Sequence, residues 1–191
     1  VMLIEGTNTL DNKIEAFKND LLKSSEIKSA SISDYLPISG SKRDGNTFHK
    51  EGKIKEDIGV SAQKWEVDYD YLKTMGMHII EGRYFSQDMA SDSQAIVINK
   101  TMAEKLGLKN PIGQRIENGW QKFTVIGVLE DFNFESMRQT VNPLSLVLSK
   151  YNSTIVSVKI SAADTKQAIS YASNVWKGFS PNQAFRYTFL D

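Results

Sequence analysis

Val1-Met2-Leu3-Ile4-Glu5, then Leu10, Ile14, Phe17 and Leu21 at one-face helical spacing, then Ile27-Lys28-Ser29-Ala30-Ser31-Ile32-Ser33-Asp34: this opening stretch decides the fold. The first run is apolar and partly β-branched, Thr9 or Asp11 supplies a helix cap, and the last run alternates through Ala30 and Ile32. The order is strand, helix, strand. The far end of the chain repeats it. Thr154 to Ile160 alternates Ile155 and Ser157 against Val156, Val158 and Ile160. Asp164 or Thr165 starts a helix carrying Ile169, Ala172, Val175, Trp176 and Phe179, Ser180-Pro181-Asn182 breaks it, and Phe185 to Leu190 returns as a strand. Two such units combine into one sheet with both helices on one face, the ferredoxin-like or split βαβ arrangement.

Between the ends the texture changes. Residues 37–59 are polar and carry Pro37, Gly40, Gly45, Gly52 and Gly59, with Phe48 as their one aromatic, and read as a loop or an exposed hairpin. From Val60 to about Val141 short strands follow one another: Ala62–Val67, Met77–Glu81, Ala95–Asn99, Gln114–Glu117 and Phe123–Glu130. A short helix follows Asp70, and another follows Asn99, which is placed as its N-cap with Gly107 as terminator. The expected fold class is therefore α+β in two lobes. Residues 1–59 and 142–191 form a split βαβ lobe, and 60–141 an inserted mixed α/β lobe rich in short strands.

Composition narrows the function. Lysine plus arginine equals aspartate plus glutamate at 23 each, so no global field exists to hold a phosphate backbone, and nucleic acid is not an expected partner. The sequence has no cysteine, which removes disulfides and thiolate chemistry together. No run approaches the roughly 20 apolar residues that span a bilayer. The chain begins and ends inside strand patterns, which leads us to expect a piece of a longer protein.

Catalytic motifs are missing. His49 and His78 have no second ligand at helical spacing, and there is no Gly-x-Ser-x-Gly elbow, phosphate loop or Gly-x-Gly-x-x-Gly. No catalytic, cofactor-binding or metal-ligating residue is assigned, and the expectation is a protein that is not an enzyme. Carboxylate pairs occur at Asp68/Asp70 and Glu130/Asp131. The former, near a helix start, read as an N-terminal cap and dipole partner, and Arg83 reads as a partner of nearby Glu81 across a turn. Trp120 stands apart. Asn118-Gly119-Trp120 reads as a hairpin tip, where a large ring either packs on a neighbouring loop or belongs to a contact surface for a partner.

Several blocks of the middle region resemble, in order, the periplasmic core domain of MacB-type permeases: Val67-Asp68-Tyr69-Asp70-Tyr71-Leu72-Lys73-Thr74-Met75-Gly76, Glu81-Gly82-Arg83-Tyr84-Phe85-Ser86, Ile96-Val97-Ile98-Asn99-Lys100-Thr101-Met102-Ala103, Asn110-Pro111-Ile112-Gly113, and Val125-Ile126-Gly127-Val128 with Asp131-Phe132. The continuation Asn133-Phe134-Glu135-Ser136 is similar to the FtsX-like branch. The resemblance implies a porter-type lobe built from both chain ends and a periplasmic position on an inner-membrane ABC-transporter permease. It also implies a cytoplasmic ATPase subunit reached through transmembrane helices outside this chain, a periplasmic adaptor or substrate protein as partner, and a homo- or heterodimer in the full-length protein. Its function would be to pass movement driven by ATP hydrolysis to a substrate or partner. The alternative is a ligand- or peptide-sensing domain of a membrane receptor.

Overall fold

The computed structural model describes residues 1–35, 45–132, 141–149 and 154–190. Residues 37–44 of the expected loop, the Asn133–Ser136 block and Asp191 lie outside the described residues. The strands are β1 (Met2–Ile4), β2 (Ile27–Ser33), β3 (Gly45–Lys50), β4 (Val60–Val67), β5 (Ile79–Gly82), β6 (Ala95–Asn99), β7 (Arg115–Glu117), β8 (Lys122–Leu129), β9 (Leu144–Leu148), β10 (Ile155–Ile160) and β11 (Tyr187–Phe189). The helices are α1 (Ile14–Leu21), α2 (Tyr71–Met75), α3 (Lys100–Lys105) and α4 (Thr165–Phe179).

Strands from the two chain ends lie side by side in the order β11-β1-β10-β2, every neighbouring pair antiparallel. Side chains alternate between faces along a strand, so Met2, Ile4, Ala30, Ile32, Val156 and Val158 share one face. Phe17 and Leu21 of α1 and Ala168, Ala172 and Trp176 of α4 close over it. Phe17 meets the edge of Trp176 with centroids 5.7 Å apart, and the indole N–H donates to the Gln183 carbonyl at 3.0 Å. Both rings are fully buried, each contributing about 1.5–3 kcal/mol from apolar burial. The first and last strands are neighbours, and the Leu190 N–H donates to the Val1 carbonyl at 2.8 Å.

The remaining strands close on themselves. β4 pairs β3, β3 pairs β7, β7 pairs β8, β8 pairs β6, β6 pairs β9, and β9 returns to β4 in parallel, which makes a six-stranded ring. One core draws on all six strands, through Phe48, Ala62, Ile96, Ile98, Ile116, Phe123, Val125 and Val147, together with Met102, Ala103 and Leu106 on and just after α3. Closure gives each of these strands a neighbour on both sides, though β3 meets β7 only at His49 and Lys50. Asn99 starts α3 as its sequence position promised: its side-chain oxygen accepts from the Met102 N–H at 3.0 Å. β5 joins the far half of β8, and two glycines permit the approach. A Cβ on Gly82 would stand 2.3 Å from the Ile126 carbonyl oxygen, and one on Gly127 2.2 Å from that of Arg83.

Three local readings change. Thr9 and Asp11 do not cap α1: they fall in successive 3₁₀ turns, because the Thr9 hydroxyl turns back to the Gly6 carbonyl at 2.8 Å. Residues 45–50 are a ring strand with Phe48 fully buried, forming a hairpin with β4 that is part of the core rather than an appendage. Residues 144–148, expected with the C-terminal βαβ unit, pair with β4 and β6 because Leu144 and Leu146 on one face and Val147 on the other both have apolar cores to enter.

Candidate functional site

Among the described residues Trp120 is the most exposed large aromatic side chain, at 92 %, whereas Trp65 and Trp176 are buried at 0 % and 1 %. Its position follows from the turn. β7 and β8 are joined through Asn118-Gly119-Trp120-Gln121, with the Asn118 N–H donating to the Gln121 carbonyl at 3.1 Å and Gly119 at φ 86°. Glycine at the first central position is the signature of a type II′ hairpin, whose twist suits the flanking strands. The Asn118 side-chain oxygen accepts from the N–H groups of Trp120 at 3.2 Å and Gln121 at 2.9 Å, so the turn is fastened beneath the ring. Ile58, 97 % exposed, and the partly exposed Ile54 lie on the neighbouring β3–β4 connection, and Ile54 shares a cleft with Trp120. Among the described residues no neighbouring loop covers this ring.

A second feature joins the four-stranded sheet to the ring. β2 touches β4 through one bridge, Ser33 with Val67, reinforced by the Asp34 and Asp68 N–H groups donating to Glu66 and Ile32 carbonyls at 3.0 and 3.1 Å. Lys18 on α1 reaches across this seam. Its ammonium lies 2.7 Å from Asp68 Oδ2 and 2.7 Å from Asp70 Oδ2, and the residue is only 6 % exposed. Asp68 also accepts from the Ile32 and Asp70 N–H groups. Burial works against the ammonium, but the two carboxylates more than offset it, and Lys18 titrates above its ordinary value. Burial raises Asp68 in spite of the lysine beside it. Asp34, on the same seam, is pushed up to about 7, first by burial and then by Glu66, against the Glu66 N–H that donates to it at 2.8 Å.

α2 fills the space between the two strand groups. Tyr71 and Leu72 enter an apolar core with Trp65, Val97 and Leu146 of the ring. On its other side, α2 packs on the β2–β10 face opposite α1 and α4, where the Lys159 ammonium reaches the Lys73 carbonyl at 3.4 Å. That face carries Ser29, Ser31 and Ser157, whose buried hydroxyls, like that of Thr74 on α2, have no hydrogen-bond partner among the described residues. A cleft of about 710 Å³ opens beside the seam, with Ile14, Glu15, Ile32, Asp68, Tyr69 and Met89 among its walls.

The remaining sequence candidates sort as follows. Arg83 pairs with Asp92, not Glu81: two bonds of 2.8 and 2.7 Å hold a carboxylate that is 1 % exposed and that also accepts from the Ser86 N–H. A hydrogen bond from Arg83 keeps Asp92 below the usual carboxylate range. Asp131, for which the sequence offered no role, stands at the start of α3 and accepts from the Thr101 N–H and hydroxyl at 3.0 and 2.7 Å. Asp68 and Asp70 serve Lys18, and Asp70, although it stands at the N-cap of α2, makes no side-chain cap bond there. His49 is held by Asp57 and His78 is exposed on its own, and among the described residues no group of three or more His, Asp or Glu has metal-holding geometry. Lys18 was missed in the sequence although it had a signal: it occupies the i+4 slot after Ile14, on the stripe that faces the core.

The chain matches the family model described as the MacB-like periplasmic core domain over residues 6–174. A search of curated proteins gives no match. Among solved structures, the periplasmic region of MacB from Actinobacillus actinomycetemcomitans is similar with a TM-score of 0.66 at 17 % identity, covering 91 % of this chain and 77 % of that one. The extracellular domain of the noncanonic ABC-type transporter YknZ from Gram-positive bacteria gives 0.66 at 21 %, covering 93 % and 88 %. A domain of a putative permease protein from Porphyromonas gingivalis gives 0.59 at 14 %, covering 87 % and 78 %. No helix among the described residues is long and apolar enough to cross a membrane.

Proposed function

Given that the chain belongs to the MacB-like periplasmic core domain family, the extracytoplasmic part of an ABC-transporter permease, we propose that it is a mechanical and binding module, not an enzyme, which carries movement from membrane helices to a substrate or partner outside the inner membrane. The full-length permease would work as a homo- or heterodimer with a cytoplasmic ATPase subunit and a periplasmic adaptor or substrate protein. The family supplies the transporter setting. The single observation that carries the mechanical reading is the adjacency of β1 and β11 in one antiparallel pair, which lets both chain ends drive the same sheet.

In this reading the molecule has two lobes. The ferredoxin-like, porter-type lobe is formed by both chain ends, and the inserted lobe takes its limits from the ring, residues 45–149, in place of 60–141. Motion of the first lobe reaches the second through the seam, where Lys18 grips Asp68 and Asp70, and leaves the domain at the contact surface around Trp120. The receptor-sensing alternative draws no support from the family match. The test is Lys18→Met in the full-length permease with its ATPase: hydrolysis persists while delivery of substrate or signal falls at least tenfold. Unchanged delivery from a folded variant contradicts transmission through this seam.

A further inference from the structure

We infer that the cleft beside Trp120 binds a neutral saccharide, the pyranose ring stacking on the indole. This rests on the reading of Trp120 as a contact surface and gives that surface its chemistry. The cleft measures about 310 Å³, and Asn46, Thr47, His49, Ile54, Asn118 and Trp120 are among its walls. Its volume is at the lower end of small-molecule sites.

Three properties of the walls select the ligand. First, none of the residues around the cleft is Lys, Arg, Asp or Glu. The charges on flanking strands answer one another: Glu51 takes Arg115 at 3.3 Å and Lys122 at 3.1 Å, and Asp57 takes His49. A charged ligand finds no Lys, Arg, Asp or Glu in the lining itself, although Lys55 follows Ile54 in sequence. Second, the polar groups are neutral and oriented. The Asn118 amide donates to Asn46 Oδ1 at 3.0 Å, which fixes the Asn46 side chain and leaves its own NH₂ group, like the Thr47 hydroxyl, without a partner among the described residues. A wholly apolar ligand would strand those groups, at about 1–3 kcal/mol for each that becomes buried unpaired. Third, little strand edge is open to an extended peptide: β7 is paired by β3 and β8, and β3 is paired by β4 over Gly45–Phe48 and by β7 at His49 and Lys50. Only the short Gly45–Phe48 run keeps one edge without a strand among the described residues, and an uncharged tripeptide is the competitor the titration must exclude. What remains is a ligand with a flat C–H face for the indole and hydroxyls for the amides, which describes a pyranose. Because Asn118 already anchors the turn, little ordering is needed on binding.

The chain carries its own reporter, because Trp65 and Trp176 are buried and Trp120 is exposed. Titration with two neutral β-1,4-linked trisaccharides, one of glucose and one of N-acetylglucosamine, is read by tryptophan emission and by the NMR shifts of the Asn46 and Asn118 side-chain amides. We expect a saturable response to at least one sugar in the millimolar range. By NMR, binding weakens at least tenfold in Trp120→Ala and about tenfold in Asn46→Ala, the loss of roughly one good polar contact, while Trp120→Phe retains part of it. An exposed position makes Trp120→Ala safe for folding, and an unchanged thermal midpoint verifies this. Absence of a saturable response to both sugars, unaltered binding in Trp120→Ala, or equal binding of an uncharged tripeptide overturns the saccharide assignment. If Trp120→Ala cripples the full-length permease while no sugar binds, the contact-surface reading stands and the saccharide alone falls.

Discussion

The two faces of β2 and β10 make opposite bargains with their helices. Toward α1 and α4 the sheet offers Ala30, Ile32, Val156 and Val158 to an apolar layer that includes Phe17 and Trp176. Toward α2 it offers Ser29, Ser31 and Ser157, with hydroxyls that meet no partner among the described residues, and α2 answers with Thr74. Packing an apolar layer favours a permanent contact. A face of small hydroxyl side chains gains little by staying closed, since water can complete their hydrogen bonds once α2 lifts. In the proposed mechanism this difference makes the α2 side, and not the α1–α4 side, the place where the domain yields, with Lys18 as the fastening between them.

The comparison breaks first on large truncations. Trp176→Ala removes a fully buried indole from the apolar side and should cost about 4 kcal/mol, measured by urea unfolding; a loss below 1 kcal/mol would mean that this face is no firmer than the other. Lys18→Met leaves Asp68 and Asp70 without their cation. Asp68 is well buried and Asp70 partly exposed, so we expect about 3 kcal/mol, and adding Asp68→Asn to Lys18→Met should restore a large part of it.

Acidity sharpens the seam. Asp34 titrates near 7 when folded and near 3.8 in its ordinary state, so the folded form holds the proton more tightly. Its stabilising contribution is complete below about pH 4 and is lost as pH rises through 7, a swing of at most about 4 kcal/mol by linkage. Asp34→Asn should therefore flatten the pH dependence of stability between about 4 and 7 while keeping the oxygen that accepts from Glu66. An unchanged pH profile would place the titration elsewhere, with Glu66 and Lys64 the neighbouring charges to examine. The smallest effect belongs to the serine face: Ser31→Ala and Thr74→Val should lie within about 0.5 kcal/mol of the parent or stabilise it, whereas a loss of 2 kcal/mol from either would show a satisfied hydroxyl.

Much of the architecture could be read from period and punctuation. The two βαβ ends announced themselves through alternating Val156 and Val158 and the one-face spacing of Ile14, Phe17 and Leu21, and Asn99 announced α3. The ring did not, because closure depends on β9 running parallel to β4 across some eighty residues, which no local pattern encodes. Phe48 was legible only as an aromatic in a polar stretch, since β3 carries glycine and hydroxyl residues around it. Trp120 was placed at its hairpin tip by Asn118-Gly119 alone. The seam was hidden for another reason: Lys18, Asp68 and Asp70 are ordinary surface residue types, and only their meeting in space gives them a role. Arg83 was given the nearer carboxylate, Glu81, when the 83–94 loop bends back to deliver Asp92.

The central claim, that movement passes through the α2 side of the seam, is open to one direct measurement: hydrogen exchange of the full-length permease with its ATPase, compared between ATP turnover and the ADP-bound rest state. The account predicts faster exchange during turnover at the Ile32 and Asp68 amides, which link β2 to the end of β4, and at the Gly76 amide, which closes the end of α2 on the Leu72 carbonyl, with the β6–β8 ladder and the β1–β10 pairs unchanged. Equal exchange at those three amides in both states, or acceleration confined to the α1–α4 layer, would contradict it.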